Sequence, residues 1–193
     1  MKQKAPVGVI HGRFQLLHND HLTYLLAGKA RCDHLIVGIA NPDPSLTQQE
    51  TADPHRGSAA ANPFTYYERY LMVREALVEA GVALSDLSIV PFPINFPKLL
   101  HYYVPLTATF YLTIYDQWGE QKLARFQELG LQSEVLWRRP ATEKGLSATA
   151  IRKRIAAGLS WREMVPPAVA RLVEELALVD RLRANLLLFR DEG

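Results

Sequence analysis

Two short apolar runs rich in β-branched residues, Val7 to Ile10 and His34 to Ala40, flank a segment in which Leu22, Leu25, Leu26 and Ala30 recur at helical spacing. A run that apolar, bounded by Pro6 and Gly12, suits a strand buried on both faces, which is the signature of a parallel sheet. Asn19 or Asp20 stands where the helix would take its N-cap. Strand, helix and strand in such close succession form a βαβ unit, whose crossover is right-handed.

The alternation continues downstream. Thr65 and Glu68 make a capping box ahead of Leu71, Met72, Ala76 and Val78, and Gly81 stops that helix. Ser88 to Phe92 reads as a third strand, Pro97 to Tyr103 as a short helix and Ala108 to Tyr115 as a fourth strand. Glu120 to Leu129 forms a helix closed by Gly130, and Glu134 to Trp137 a fifth strand. Helices follow: Ala148 to Ala157, then Pro166 to about Leu188 with a break near Asp180. The expected architecture is α/β, doubly wound and Rossmann-like: a mostly parallel five-stranded sheet with a helical C-terminal extension over about 147–193, in one domain spanning 1–193. Asn41 to Ala61 has no periodicity and reads as a long, poorly ordered loop. Within it, Asp53-Pro54-His55-Arg56 either closes over a ligand or is untethered.

Composition removes several function classes. Hydrophobic residues are 48% and charged residues 22% of 193, a globular balance. No run approaches the roughly 18 apolar residues of a membrane span, and Met1 to Ala5 lacks a signal-peptide pattern, so a cytoplasmic location is the default. Cys32 is the only cysteine, which rules out an intrachain disulfide and a cysteine-based metal site. Net charge is +2, yet Arg138, Arg139, Lys144, Arg152, Lys153 and Arg154 face one acid, Glu143. That cluster suits a local anion site and not the long basic stripe of a nucleic-acid binder. Apolar Leu186 to Phe189 packs within the domain or against a second copy, so a homo-oligomer stays open.

In open α/β sheets ligands bind at the carboxyl ends of the strands. There lies His11-Gly12-Arg13-Phe14-Gln15-Leu16-Leu17-His18-Asn19-Asp20-His21. Gly12 permits close backbone approach, Arg13 is a bidentate anion donor, and His18 and His21 fall three apart where a helix begins. Together these favour a phosphate, although short motifs of this kind also occur as ordinary caps and surface histidines. Ser147 is a natural N-cap for the next anion-binding helix, with Ile151 and Ile155 facing the core and Arg152 turned from it.

Gly12-Arg13-Phe14-Gln15 with His18-Asn19-Asp20-His21 resembles the signature Gly-Arg-Phe-Gln-Pro-X-His-X-Gly-His of the nucleotidyltransferase superfamily, whose members move a nucleoside monophosphate from an NTP to a phosphate-bearing acceptor. Asn62-Pro63-Phe64-Thr65 with Glu68-Arg69 is similar to the opening of the second helix in archaeal-type nicotinamide mononucleotide (NMN) adenylyltransferases. Ser147-Ala148-Thr149-Ala150-Ile151-Arg152 is similar to their Ser-X-Thr-X-X-Arg phosphate motif, and Trp161, Val165 and Pro166 match further on. The resemblance implies that His18, His21, Arg13 and Arg152 act on the phosphates. Gly12, Phe14, Gln15, Ser147, Thr149 and Lys29 would join them in binding the nucleotide, with Mg²⁺ or another divalent cation bridging the triphosphate.

Three departures set this chain apart. Asp20 replaces the motif glycine, where it could cap the helix, pair with a histidine or help to hold the metal. Leu16 replaces the proline. The tryptophan expected after the third strand is missing from Pro91 to Leu100, so Asn95, Phe96, Lys98 and Trp118 become the candidates for binding a small anionic acceptor. The preferred reading is a specialised nucleotidyltransferase using CTP or ATP, with a CTP-dependent cytidylyltransferase on a small phosphonate as one form, since some cytidylyltransferases for phosphonates resemble the same family. The alternatives are a true NMN adenylyltransferase and a catalytically weak nucleotide-binding protein.

Overall fold

The computed structural model describes residues 3–47, 58 and 61–188. Five strands form one sheet: β1 (Ala5–Gly12), β2 (Cys32–Ala40), β3 (Leu87–Phe92), β4 (Thr109–Ile114) and β5 (Ser133–Arg138). Their order is β3-β2-β1-β4-β5 and every pairing is parallel, with Val9 opposite Ile36 on one side and Phe110 on the other. The chain therefore winds outward from β1 in both directions, and the strand order reverses at the end of β1. Such a switch point opens a crevice for a ligand.

The helices are α1 (Asn19–Lys29), α2 (Tyr66–Glu79), α3 (Gln117–Glu128), α4 (Ala148–Ala156), α5 (Pro167–Glu175) and α6 (Leu178–Leu188). Two apolar layers hold them to the sheet. Ile10, Leu25, Leu35, Val37, Met72, Ile151 and Val169 belong to one; Val9, Phe92, Phe110, Leu112 and Phe126 belong to the other. Alternation along β1 sends Ile10 into the first layer and Val9 into the second. Gly28 lets α1 press against the sheet, because a Cβ there would run into Ile10 Cδ1.

Most element boundaries follow the sequence, with four corrections. The N-cap of α1 is His18, ahead of the expected Asn19 or Asp20 by one or two residues, and its side chain makes no capping bond. Asn19 donates instead to the Glu163 carbonyl at 2.8 Å, freed from capping by lying one residue inside the helix. α3 begins at Gln117 because Asp116 caps it by accepting from Gly119 N at 3.0 Å. The C-terminal break falls at Ala177 (φ 51), ahead of Asp180. The expected long loop is partly built, since Asp43 caps a short turn at Pro44–Leu46. Asp53-Pro54-His55-Arg56 and Phe189 lie outside the described residues.

The capping box on Thr65 and Glu68 forms as read, and it places Arg69 on the buried face of α2. Arg69 is 1% exposed and donates to the carbonyls of Arg13 (2.9 Å), Ala40 (2.8 Å), Asn41 (2.8 Å) and Thr65 (3.1 Å). One guanidinium thus fixes the loops after β1 and β2. Replacing it with methionine removes this donor from the Arg13, Ala40 and Asn41 carbonyls, so Arg69→Met is expected to cost about 3 kcal/mol or more. Urea unfolding measures this, and a loss below about 1 kcal/mol would contradict the role.

Candidate active site

A cavity of about 620 Å³ opens over the carboxyl ends of β1, β2 and β4. Its floor is the loop after β1. There Phe14 takes φ 49, a left-handed conformation that a bulky residue adopts only when its surroundings compel it. The surroundings are explicit. The Phe14 ring is 1% exposed and meets His21 edge-on at 5.2 Å. Gln15 Nε2 donates to the Phe64 carbonyl at 3.1 Å, while Phe64 N donates to Gln15 Oε1 at 2.9 Å.

This geometry revises the sequence reading of two residues. Gln15 and Phe14 border the cavity, but the Gln15 amide is bonded to the Phe64 backbone and the Phe14 ring packs in the core. They shape the loop that presents Gly12, Arg13, His18 and His21.

His18 and His21 stack, with ring centroids 3.6 Å apart. Burial lowers the pKa of His18 to about 4, partly opposed by the Asp20 carboxylate. The pKa of His21 also lies well below the ordinary value, first through burial and then through its neighbour His18, with Leu16 acting in the opposite direction. Two neutral imidazoles therefore face the cavity at pH 7, and His18 Nδ1 is buried with no hydrogen-bond partner among the described residues.

The opposite wall is the N-terminal end of α4. Ser147 caps it, accepting from Ala150 N, and Thr149 Oγ1 accepts from Arg152 Nη2 at 3.3 Å. Arg152 also donates to the Gln15 carbonyl. Burial and the nearby Arg13 cation lower its pKa to about 10, so it remains charged at neutral pH. Two guanidiniums, two imidazoles and the N-terminal ends of two helices line one cavity, which is a cradle for several phosphate oxygens.

Other candidates divide. Trp118 lines the cavity from α3. Asn95, Phe96 and Lys98 do not: after β3 the chain leaves Ile94 on the cavity wall and then turns into a tight 3₁₀ segment, Pro97–Tyr102, none of which lines the cavity. Lys29 is also outside it. As the last residue of α1 it lies at the far end of the sheet, donating to the Asp33 carbonyl at 2.8 Å and pairing with Asp86 at 3.4 Å. Sequence reasoning missed His11, Lys122, Tyr24, Tyr115 and Trp137, which reach the cavity from separate elements. Alternation along β1 was a usable signal for His11, which shares its face with Val9.

Among the described residues no group of three or more His, Cys, Asp or Glu is placed to hold a metal ion. Asp20, the possible metal ligand, accepts from Leu146 N at 2.5 Å through Oδ2.

The fold and this cradle define a nucleotidyltransferase. The chain belongs to the cytidylyltransferase-like family, whose model matches residues 9–154. It is 55% identical over 183 residues to the phosphonoformate cytidylyltransferase of Streptomyces viridochromogenes, covering 95% of this chain and 98% of that one. It is 34% identical to the nicotinamide-nucleotide adenylyltransferase of Thermococcus onnurineus, over 91% of this chain and 86% of the relative. Among solved structures, a bifunctional NMN adenylyltransferase/ADP ribose pyrophosphatase from Francisella tularensis superposes with a TM-score of 0.67 at 15% identity. That match covers 96% of this chain and 54% of the bifunctional one, and it concerns the fold alone. No helix among the described residues is long and apolar enough to cross a membrane.

Depressed histidine pKa values carry a sign. His18 binds a proton near 6.5 when unfolded and near 4 when folded, so its contribution to stability is present above about pH 6.5 and declines as pH falls toward 4. Thermal unfolding of the ligand-free protein should show this decline, and His18→Gln should flatten it. An identical pH profile for the variant would contradict a buried neutral His18.

Proposed function

We propose that the protein is a CTP-dependent cytidylyltransferase whose acceptor is a small phosphonate bearing a carboxylate, with phosphonoformate as the reference compound. The observation that carries this reading is the near full-length similarity to a phosphonoformate cytidylyltransferase, at an identity well above that to the adenylyltransferases. The site supports it. Asn95 and Phe96, where a ring-stacking tryptophan would stand after β3, do not line the cavity, while His11, Trp118 and Lys122 do, and these three make up its acceptor end in this reading.

An acceptor phosphonate oxygen attacks the α-phosphorus of CTP. A new P–O bond forms, the bond from the α-phosphorus to the oxygen bridging to the β-phosphate breaks, and pyrophosphate leaves with that electron pair. The attacking oxygen is already ionised at neutral pH, so no general base is needed. His18, His21 and Arg13 bear on the α-phosphoryl group, while Ser147, Thr149 and Arg152 grip the outer phosphates. Catalysis is then positioning plus electrostatic stabilisation. A divalent ion such as Mg²⁺, if carried in on the triphosphate, would supply further charge neutralisation on the phosphates that Arg13, Arg152 and the histidines bind.

At the acceptor end, His11 stacks on Phe92 at 4.8 Å and is kept neutral by burial and by the Lys122 cation. Its Nδ1 is buried with no hydrogen-bond partner among the described residues. Lys122 lies over the Trp118 ring at 4.9 Å. A neutral imidazole and one ammonium group suit a compact carboxylate better than a pyridine nucleotide. The second reading, ATP with NMN, rests on the 34% relative and would use Trp118 as the ring platform.

Pyrophosphate release from CTP and phosphonoformate, compared with ATP and NMN, tests the assignment; turnover confined to the second pair would overturn it. His21→Ala is expected to lower kcat by about 10²- to 10³-fold, the scale of one preorganised donor. Lys122→Met should raise KM for phosphonoformate about tenfold or more, the scale of a lost hydrogen bond to a charged group, with KM for CTP nearly unchanged. An unaltered acceptor KM would remove Lys122 from the site.

A further inference from the structure

The carboxylate that replaces the motif glycine is bonded across the cavity mouth to the element that carries the second half of the phosphate cradle. Asp20 sits in the first turn of α1, between His18 and His21, and its Oδ2 accepts from Leu146 N at 2.5 Å. Leu146 immediately precedes Ser147, the N-cap of α4. The next residue back, Gly145, lies so close to Asp20 that a Cβ built there would run into the same Oδ2. Gly145 is not among the glycines with positive φ, and what a side chain there would meet first is the Asp20 carboxylate.

The other end of this loop is tied as well. Lys144 Nζ meets Asp116 Oδ2 at 3.0 Å, and Asp116 is the N-cap of α3. The stretch from Lys144 to Leu146 is thus strapped over the cavity by one carboxylate from each flank. Asn19, the residue before Asp20, donates to the Glu163 carbonyl beyond α4. The two residues between the histidines therefore both tie α1 to the C-terminal helical part, while the histidines themselves face the cavity.

We propose that Asp20 is a positioning residue: its bond to the Leu146 amide sets α4, with Ser147, Thr149 and Arg152, at the distance from the histidine pair that a triphosphate spans, and Gly145 is required so that the bond can form. The proposal rests on the reading that α1 and α4 hold the nucleotide. It also accounts for how an acid is tolerated beside a polyanion, since the carboxylate is directed at a backbone N–H, where a charge-assisted bond is strong.

Three accounts of Asp20 predict different outcomes when CTP and pyrophosphate binding are measured by calorimetry for the wild type and for D20N, D20G, G145A and D20G/G145A. If Asp20 acts as the latch, D20N keeps an acceptor oxygen and sheds a repulsive charge, so it binds CTP at least as well as the wild type. D20G and G145A each bind about tenfold more weakly or worse, the scale of a lost hydrogen bond to a charged group, while the double variant is no weaker than D20G alone. Effects that add in the double variant would overturn the proposal. So would tighter binding by both D20N and D20G, which marks Asp20 as a repulsive charge only. Weaker binding by D20N and D20G in Mg²⁺ but not in its absence would overturn it too, by making Asp20 a metal ligand. A wild type that binds neither CTP nor pyrophosphate would overturn the nucleotide reading itself, whereas wild-type binding with unaltered variants overturns only the latch. If D20G does not fold, G145A probes the same bond from its other side.

Discussion

Two buried guanidiniums clamp the loop after β1, and the rest of the site depends on that clamp. Arg69 from α2 holds the Arg13 carbonyl and Arg152 from α4 holds the Gln15 carbonyl, on either side of the left-handed Phe14. Neither arginine reaches its place through a neighbouring residue in sequence. The clamp therefore ties the strained turn to the folded core, and only a complete fold presents Arg13, His18 and His21 together. Strain of this kind persists where the surrounding structure over-determines it.

The same arrangement explains the electrostatic character of the cavity. Arg152 is set on neutral acceptors, a carbonyl and a hydroxyl, and keeps its charge. The two stacked imidazoles are held neutral by burial and so retain the capacity to donate to, or be protonated beside, an arriving phosphate. A site built this way is positive and preorganised before substrate enters, and needs no proton acceptor for an ionised nucleophile.

Much of this was legible in the sequence because its signals are contiguous. The apolar strands, the capping box and the glycine stops specified the element order, and the motifs at 12–21 and 147–152 stand where the chain leaves a strand or enters a helix. The misplaced residues share a different origin. Lys29 follows helical periodicity to the wrong end of the sheet, and Asn95, Phe96 and Lys98 depend on the direction of a turn that local pattern does not encode. Gln15 and Phe14 were legible as motif residues, but their bonds and packing partners, Phe64 and the core, are tertiary. His11, Lys122 and Trp137 meet only after β1, α3 and β5 have packed, so spacing along the chain could not unite them.

The most direct test of this account is the protonation state of the histidine pair, followed by ¹⁵N NMR of the imidazoles with and without CTP at pH 6 to 7. The structure predicts neutral His18 and His21 in the free protein and a shift of at least one ring toward the protonated form when the triphosphate binds. A His18 already protonated in the free protein, or rings indifferent to CTP, would contradict it.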